Sequence, residues 1–206
     1  MKDDDALVIG GLALLVMLGS KRAPIPWGVG WSWPVPPVTF ADGATYPPEV
    51  SQEWKPGHFG VDIVYRRRSL TDRPMFPAGS VNGSTMHFAP PGTPILAAKD
   101  ARVWSVAKTP RGWAVVLDHG APFATFYQHL ERVDLEPHAG GLPLSSKVPT
   151  LVKAGDMLGT MGFDPTDPQR LRHLHFAVWY KGSGDNASVD PADVMRSWRK
   201  APPWKP

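Results

Sequence analysis

The 206-residue chain contains no cysteine. That excludes a thiol nucleophile, a disulfide framework and any zinc site built on sulfur ligands. A surplus of one charge is also missing: 22 Lys and Arg stand against 19 Asp and Glu, a formal net charge of +3. Such a balance gives mild attraction to anionic surfaces without the concentrated basic stripe of a nucleic-acid binder. Nucleic acid is therefore not expected as a partner.

Long apolar runs are scarce too. The one that stands out, ALVIGGLALLVMLG at 6–19, lies between Asp3-Asp4-Asp5 and Lys21-Arg22. A helix of about 14 residues rises about 21 Å, against a hydrocarbon core of about 30 Å. The run is short for a span and suits the apolar part of an export signal. Its acidic leading flank and the lack of a small-x-small cleavage pattern depart from such a signal. Lys21-Arg22 would favour the cytoplasmic side. Residues 1–22 are read as a hydrophobic anchor, export or packing helix. A membrane, or a protein of an envelope or virion, is the surface that 6–19 would contact.

What is abundant is proline, with 24 residues, and glycine, with 20. These numbers suit strands, turns and loops better than a helical bundle. Residues 23–32 read as a Pro/Trp-rich linker, 33–195 as one domain and 196–206 as a basic, Pro-rich tail. The first strand is expected at Trp33-Pro-Val-Pro36. Further strands are expected at Val61–Val64, Pro94–Ala98, Ala101–Ala107, Trp113–Asp118, Ala124–His129, Met157–Met161 and His173–Tyr180. Turn signals such as Pro110-Arg111-Gly112 separate them. Pro191–Lys200 reads as the one helix of the domain, with Asp190 as N-cap and Pro191 at its first position. Ser69–Ala89 and Glu136–Thr150 read as loops. The fold class is thus mainly β, a single antiparallel β-sheet domain preceded by an apolar N-terminal helix.

Three histidine-bearing motifs carry chemistry. In RHLHFAVWY (172–180), His173 and His175 are two apart and share one face of a strand. In HFGVD (58–62), His58 and Asp62 could reach a common ion only if the backbone bends, which Gly60 permits. In TFYQHL (125–130), alternation places Thr125, Tyr127 and His129 on one face. Each motif alone also fits a structural role: half-buried strand histidines, a turn with an exposed Asp62, or a lone histidine at a strand end. Together they offer two histidines and an aspartate as three ligands, leaving a fourth zinc position open, as in catalytic rather than structural sites. Two more histidines remain to move protons.

These motifs, in their order and context, resemble the lysostaphin/LytM-type zinc metalloendopeptidases of bacterial cell walls, the twenty-third metallopeptidase family. The resemblance runs from about Trp33 to Asp193. It takes in HFGVDI (58–63), PPGTPILAAKDARVWSV (90–106), VVLDHG (115–120), TFYQHL (125–130), VKAGDMLGTMG (152–162), HLHF (173–176) and VDP (189–191). It implies a lysostaphin/LytM-like fold with a zinc-containing groove and one Zn2+ per chain held by His58, Asp62 and His175. It implies that His129 and His173 are catalytic, assisting deprotonation of water and stabilising the tetrahedral intermediate. The implied substrate is a peptide stem or crosslink of peptidoglycan. The setting would be the cell envelope, periplasmic or membrane-associated, or a virion, for a bacterial enzyme or a phage-encoded lysin.

The chain departs from that pattern in Phe163–Arg172 (FDPTDPQRLR), longer and more charged than the family's small-residue loop, and in the segment 69–89, and both are expected to border the groove. Rival expectations are a non-catalytic module that binds peptidoglycan or activates another hydrolase, and a membrane-associated virion or assembly protein. His119 reads as structural, His87 and His138 as solvated, and Arg66-Arg67-Arg68 as a solvated face.

Overall fold

Alternation of apolar side chains gives the central strands two distinct faces. In the computed structural model, which describes residues 29–69, 71–72, 86–135, 150–168, 170–182 and 185–206, this alternation organises one large antiparallel sheet. The described strands are β1 (Val38–Thr39), β2 (Thr45–Tyr46), β3 (Pro48–Gln52), β4 (Val61–Arg66), β5 (His87–Phe88), β6 (Pro94–Leu96) and β7 (Ala101–Thr109). They continue with β8 (Gly112–Asp118), β9 (Phe123–Val133), β10 (Leu151–Val152), β11 (Met157–Met161), β12 (Leu174–Gly182) and β13 (Asp185–Val189). The sheet runs β10-β7-β8-β9-β12-β4-β3, with β13 beside β12, β5 beside β4, and β11 joining β9 to β6. β1 and β2 form a separate pair. The mainly β, antiparallel expectation holds, while the N-terminal apolar helix lies outside the described residues.

One face of β4, β8, β9 and β12 makes the core. Ile63, Tyr65, Leu117, Tyr127, Leu174 and Phe176 are fully buried there. Truncating such a residue to alanine typically costs about 2–5 kcal/mol. The two buried tyrosines on this face are paired: the Tyr127 hydroxyl accepts the Ala98 N–H (2.9 Å) and the Tyr65 hydroxyl donates to Pro36 O (2.7 Å). The opposite face carries Asp62, His175, Gln128 and Phe126, and it becomes the floor of a groove.

Two expectations are corrected at the edges. Trp33–Pro36 is not a strand: Pro34 and Pro36 have no N–H to donate, so this stretch makes single bonds to several neighbours instead of a ladder. Ser32 N–H donates to Ala98 O, Trp33 N–H to Arg199 O, and Pro34 O accepts the Leu96 N–H, each at 2.8–2.9 Å. The helix of Pro191–Lys200 is also shorter than its composition suggests, α1 (Ala192–Met195). Pro191 takes the cap position, and Asp190 Oδ1 accepts the Ala192 N–H at 2.9 Å. The helix stops because its continuation would carry Trp198 away from the core, where it stacks on Trp31 (4.8 Å between ring centroids) and meets Phe176 edge-on. The Ser197 hydroxyl donates to Val194 O (2.7 Å), a local bond that competes with further helix. Beyond it, residues 199 and 204 bridge Ser32 and Val38 in parallel.

Of the two expected loops, 136–149 lies outside the described residues, as does most of 69–89. The described end of the latter is β5, paired to β4 through Tyr65 with Phe88 and Arg66 with His87.

Candidate metal centre and groove

A Lys55-Pro-Gly-His58 turn sets the first motif. Gly57 stands at φ 85°, the value a type II turn needs in third place after proline, and Lys55 and His58 exchange backbone hydrogen bonds of 2.9 and 3.1 Å. The chain then bends through Gly60, whose N–H donates to His58 O (2.9 Å), and enters β4. Asp62 is the direct cross-strand partner of His175 on β12, and Gln128 of β9 is the partner of His175 on its other side. Three adjacent strands therefore place Asp62, His175 and Gln128 in one row across the floor. Gly60 proves necessary for space rather than only for bending. A Cβ there would lie 2.7 Å from Phe176 O and 2.8 Å from the His175 ring.

The donor atoms converge. His58 Nε2 and Asp62 Oδ1 are 3.0 Å apart, and His175 Nδ1 is 3.1 Å from each. These three groups form a cluster able to hold a metal ion. Donors around a tetrahedral zinc at about 2.0–2.2 Å lie roughly 3.3 Å apart, so the spacing fits with little rearrangement. The hydrogen bonding argues the same way. His58 Nδ1 is 3.2 Å from Glu53 O, which can only accept, so that nitrogen carries the proton. In the neutral ring Nε2 is then a lone pair aimed at a carboxylate oxygen, an arrangement that calls for a proton or a cation between them. Burial alone would push the Asp62 carboxyl up, but the His175 hydrogen bond and the charges of His173, His58 and His175 outweigh it and hold it below its usual range.

The other two histidines face this cluster. Their ring centroids are 4.6 Å apart, and His129 is 6.0 Å from His175. His129 Nδ1 donates to Arg111 O and His173 Nδ1 to Leu171 O, both at 2.8 Å. With Nδ1 so engaged, Nε2 carries the lone pair whenever the ring is neutral. His173 Nε2 lies 4.0 Å from Asp62 Oδ2. His129 is buried, and burial with the neighbouring His173 pushes it down to about 4, so it is uncharged at neutral pH.

His129 does not follow the alternation read from TFYQHL. Thr125 and Tyr127 point into the core, whereas His129 lines the groove. Trp113 pairs with Leu130 but Val115 pairs with Tyr127, so Gln128 and His129 together oppose Ala114 alone. This is a β-bulge, and His129 sits at φ 68°, a left-handed conformation uncommon outside glycine. The extra residue turns the side chain from the core face to the groove face. Gly162 clasps the bulge: its N–H donates to His129 O (2.7 Å), and its own O accepts the His173 N–H (3.1 Å).

The groove is about 360 Å³ and is lined by the five motif residues together with Gly57, Phe59, Arg111, Gln128, Asp164 and Asp167. Of the latter six, Gly57, Arg111 and Gln128 were not singled out from sequence. Arg111 comes from the β7–β8 hairpin tip, whose Pro-Arg-Gly signal was read only as a turn. Asp164 and Asp167 come from the divergent 163–172 loop, which Arg172 pins by a two-pronged bond to Glu131 (2.7 and 3.2 Å). Arg66–Arg68 do not line the groove: Arg67 is buried, and Arg68 lies over the Tyr46 ring at 5.1 Å. His119 is tied to Asp100 O and the Thr125 hydroxyl, a structural role.

The class of protein is set by an antiparallel β groove in which a His-Asp-His cluster that could hold a metal ion faces two further histidines. The sequence model of peptidase family M23 matches residues 81–191, and the chain belongs to that family. His129, His173 and His175 fall inside this match, while His58 and Asp62 precede it. Among solved structures, the fold is similar to a protein assigned as a glycyl-glycine endopeptidase lytM from Ruminococcus gnavus. That pair has 20% identity and a TM-score of 0.54, covering 84% of this chain and 64% of that one. It is also similar to a protein assigned as a peptidase M23 from Pseudomonas aeruginosa, with 22% identity and a TM-score of 0.51, covering 85% of this chain and 54% of that one. This chain thus spans less than two thirds of either. No curated protein sequence matches it.

Proposed function

We propose that this protein is a zinc-dependent endopeptidase that hydrolyses peptide bonds in peptidoglycan stems or crosslinks. Its ligands are His58, Asp62 and His175, and its catalytic residues are His129 and His173. The observation that supports this most directly is the opposition, in one groove, of three donors 3.0–3.1 Å apart and two histidines whose Nδ1 protons are tied to backbone carbonyls.

A zinc ion held by the three donors supplies Lewis acidity, lowering the pKa of a water and polarising a peptide carbonyl. The chain's own groups do the rest. The Nε2 atoms of His129 and His173 are lone pairs facing the cluster, ready to accept a proton from the attacking water. Once protonated, such a ring is a donor for the developing oxyanion or the leaving amine. The Arg111 and Leu171 carbonyls keep both rings in the tautomer that this requires. The substrate places the protein at the cell envelope or, for a phage lysin, in the virion, with residues 6–19 as the segment contacting a membrane or an envelope protein.

The test measures zinc content and amine release from purified peptidoglycan for the full chain, His175→Ala and His129→Ala. Wild type is expected to hold one zinc and to cut. His175→Ala loses both metal and activity. His129→Ala keeps the metal and cuts about 10²–10⁴-fold more slowly, the usual share of a general acid–base group. Zinc-loaded wild type that releases no amine from peptidoglycans of either glycine-bridged or directly crosslinked type would overturn the reading in favour of a binding or assembly role.

A further inference from the structure

Gln128 occupies the centre of the groove floor. Its Cα is directly opposite that of His175, and it precedes His129 in the bulge. Cross-strand partners have Cβ atoms about 4.5–5.5 Å apart, so Gln128 rises from the floor beside the metal cluster and lines the same groove. Its neighbours on this face, Phe126, Val116 and Ala177, are apolar and buried and offer no hydrogen bonds. The carboxamide itself is barely engaged. Nε2 lies 3.5 Å from Thr109 Oγ1, the outer limit of a hydrogen bond, and that hydroxyl already accepts the Arg111 N–H and donates to Gly112 O. Among the described residues Oε1 accepts no hydrogen bond. A half-buried amide lining an open groove thus keeps a donor and an acceptor free to pair with a ligand.

The geometry points to Gln128 as the side chain that holds the substrate backbone on the groove floor, its carboxamide pairing with a peptide group next to the bond that is cut. This rests on the endopeptidase reading. A carboxamide is chemically a peptide group, with a donor and an acceptor in one plane, and two such groups pair through both. A peptide unit seated there is one residue, about 3.3–3.6 Å of extended chain, from a carbonyl facing the metal cluster. Recognition through the backbone makes Gln128 indifferent to the substrate's side chains. Selection among peptide sequences then falls to the rim, where Arg111, Asp164 and Asp167 stand.

The test compares wild type, Gln128→Ala and Gln128→Met for zinc content, KM and kcat on soluble peptidoglycan fragments, and retention on purified sacculi. Loss of the two hydrogen bonds, made equally in ground and transition states, raises KM about tenfold or more and leaves kcat within about twofold. The expected result is that rise in both variants, with zinc content unchanged. Kinetics within twofold of wild type would overturn the inference while leaving the endopeptidase reading intact. A joint fall of kcat and zinc content would also overturn it, showing that Gln128 only supports the site's architecture. If zinc-loaded wild type cuts nothing, the endopeptidase reading has failed, and retention decides for Gln128. Weaker retention of both variants upholds its grip on peptide, and equal retention overturns it.

Discussion

The two halves of the groove are built by opposite means. Asp62 and His175 sit on regular strands, in register, and point where strict alternation sends them. His129 reaches the same groove only because β9 breaks alternation, with an extra residue and a positive φ. The ligand half is thus as rigid as the sheet ladder that carries it. The proton-transfer half depends on one irregularity clasped by Gly162 and the β7–β8 hairpin tip. Bulges beside active sites re-aim a side chain that the pleat would otherwise bury. Here the device also orients it, because the Arg111 carbonyl that fixes the His129 tautomer belongs to the same hairpin.

Breaking the ligand half should have the largest effect. In Gly60→Ala the new Cβ would lie 2.7 Å from a backbone oxygen and 2.8 Å from the His175 ring, so the ring must move. Metal affinity, followed by competition with a chelating dye, is expected to fall at least 10–100-fold, the range seen when ligand orientation is disturbed, and activity with it. Affinity within a factor of three of wild type would show that the ring has room to give.

Gly162→Ala attacks the other half. Its Cβ would stand 2.7 Å from His129 O and from Glu131 N, both backbone atoms. Zinc content should stay at one per chain while turnover drops about 10²-fold, the scale expected for a displacement near 1 Å. Concurrent loss of zinc would mean that the two halves are not separable.

A smaller effect isolates the strain. At φ 68°, His129→Gly should be more stable than His129→Ala by roughly 0.5–1 kcal/mol in denaturant unfolding, because alanine keeps the Cβ that this conformation disfavours. The reverse order would place the bulge in a relaxed conformation.

The smallest concerns the loop that carries Asp164. The hydrogen bond from Arg172 holds the Glu131 carboxyl below its ordinary 4.5. A depressed folded-state value gives stability that is present above about 4.5 and lost as the pH falls through the folded value. The pair is half-exposed, so its share is under about 1 kcal/mol. Glu131→Gln should therefore lower the melting temperature slightly at neutral pH and match wild type in strong acid. A constant gap at every pH would deny the ion pair its role.

The same contrast explains what could be read from the sequence. The convergence of Asp62 and His175 was legible because period-two alternation on β12 and the apolar run of β4 set both faces. The strands from 94 to 180 were legible for the same reason. Thr125, Tyr127 and His129 were placed on one face because a bulge leaves no composition signal when its left-handed residue is histidine rather than glycine. Pro191–Lys200 misled because helix propensity is weak beside a tryptophan that must stack in the core. Gln128 gave no sign, since a lone polar residue on a floor strand is ordinary until the fold brings it to the groove, whereas Asp164 and Asp167 belong to the divergent loop expected to border it.

The side-by-side run of residues 31–38 and 199–204 has a mechanical meaning. A pull applied at Val29 meets first the bonds linking Trp31 and Trp33 to Arg199 and Ser32 to Ala98, and a pull along the parallel run would load them in shear. Bonds loaded together in shear share the force, whereas a peeled edge yields one bond at a time. A tether on that side would act as a buckle, letting the domain be held under tension while the groove keeps its geometry.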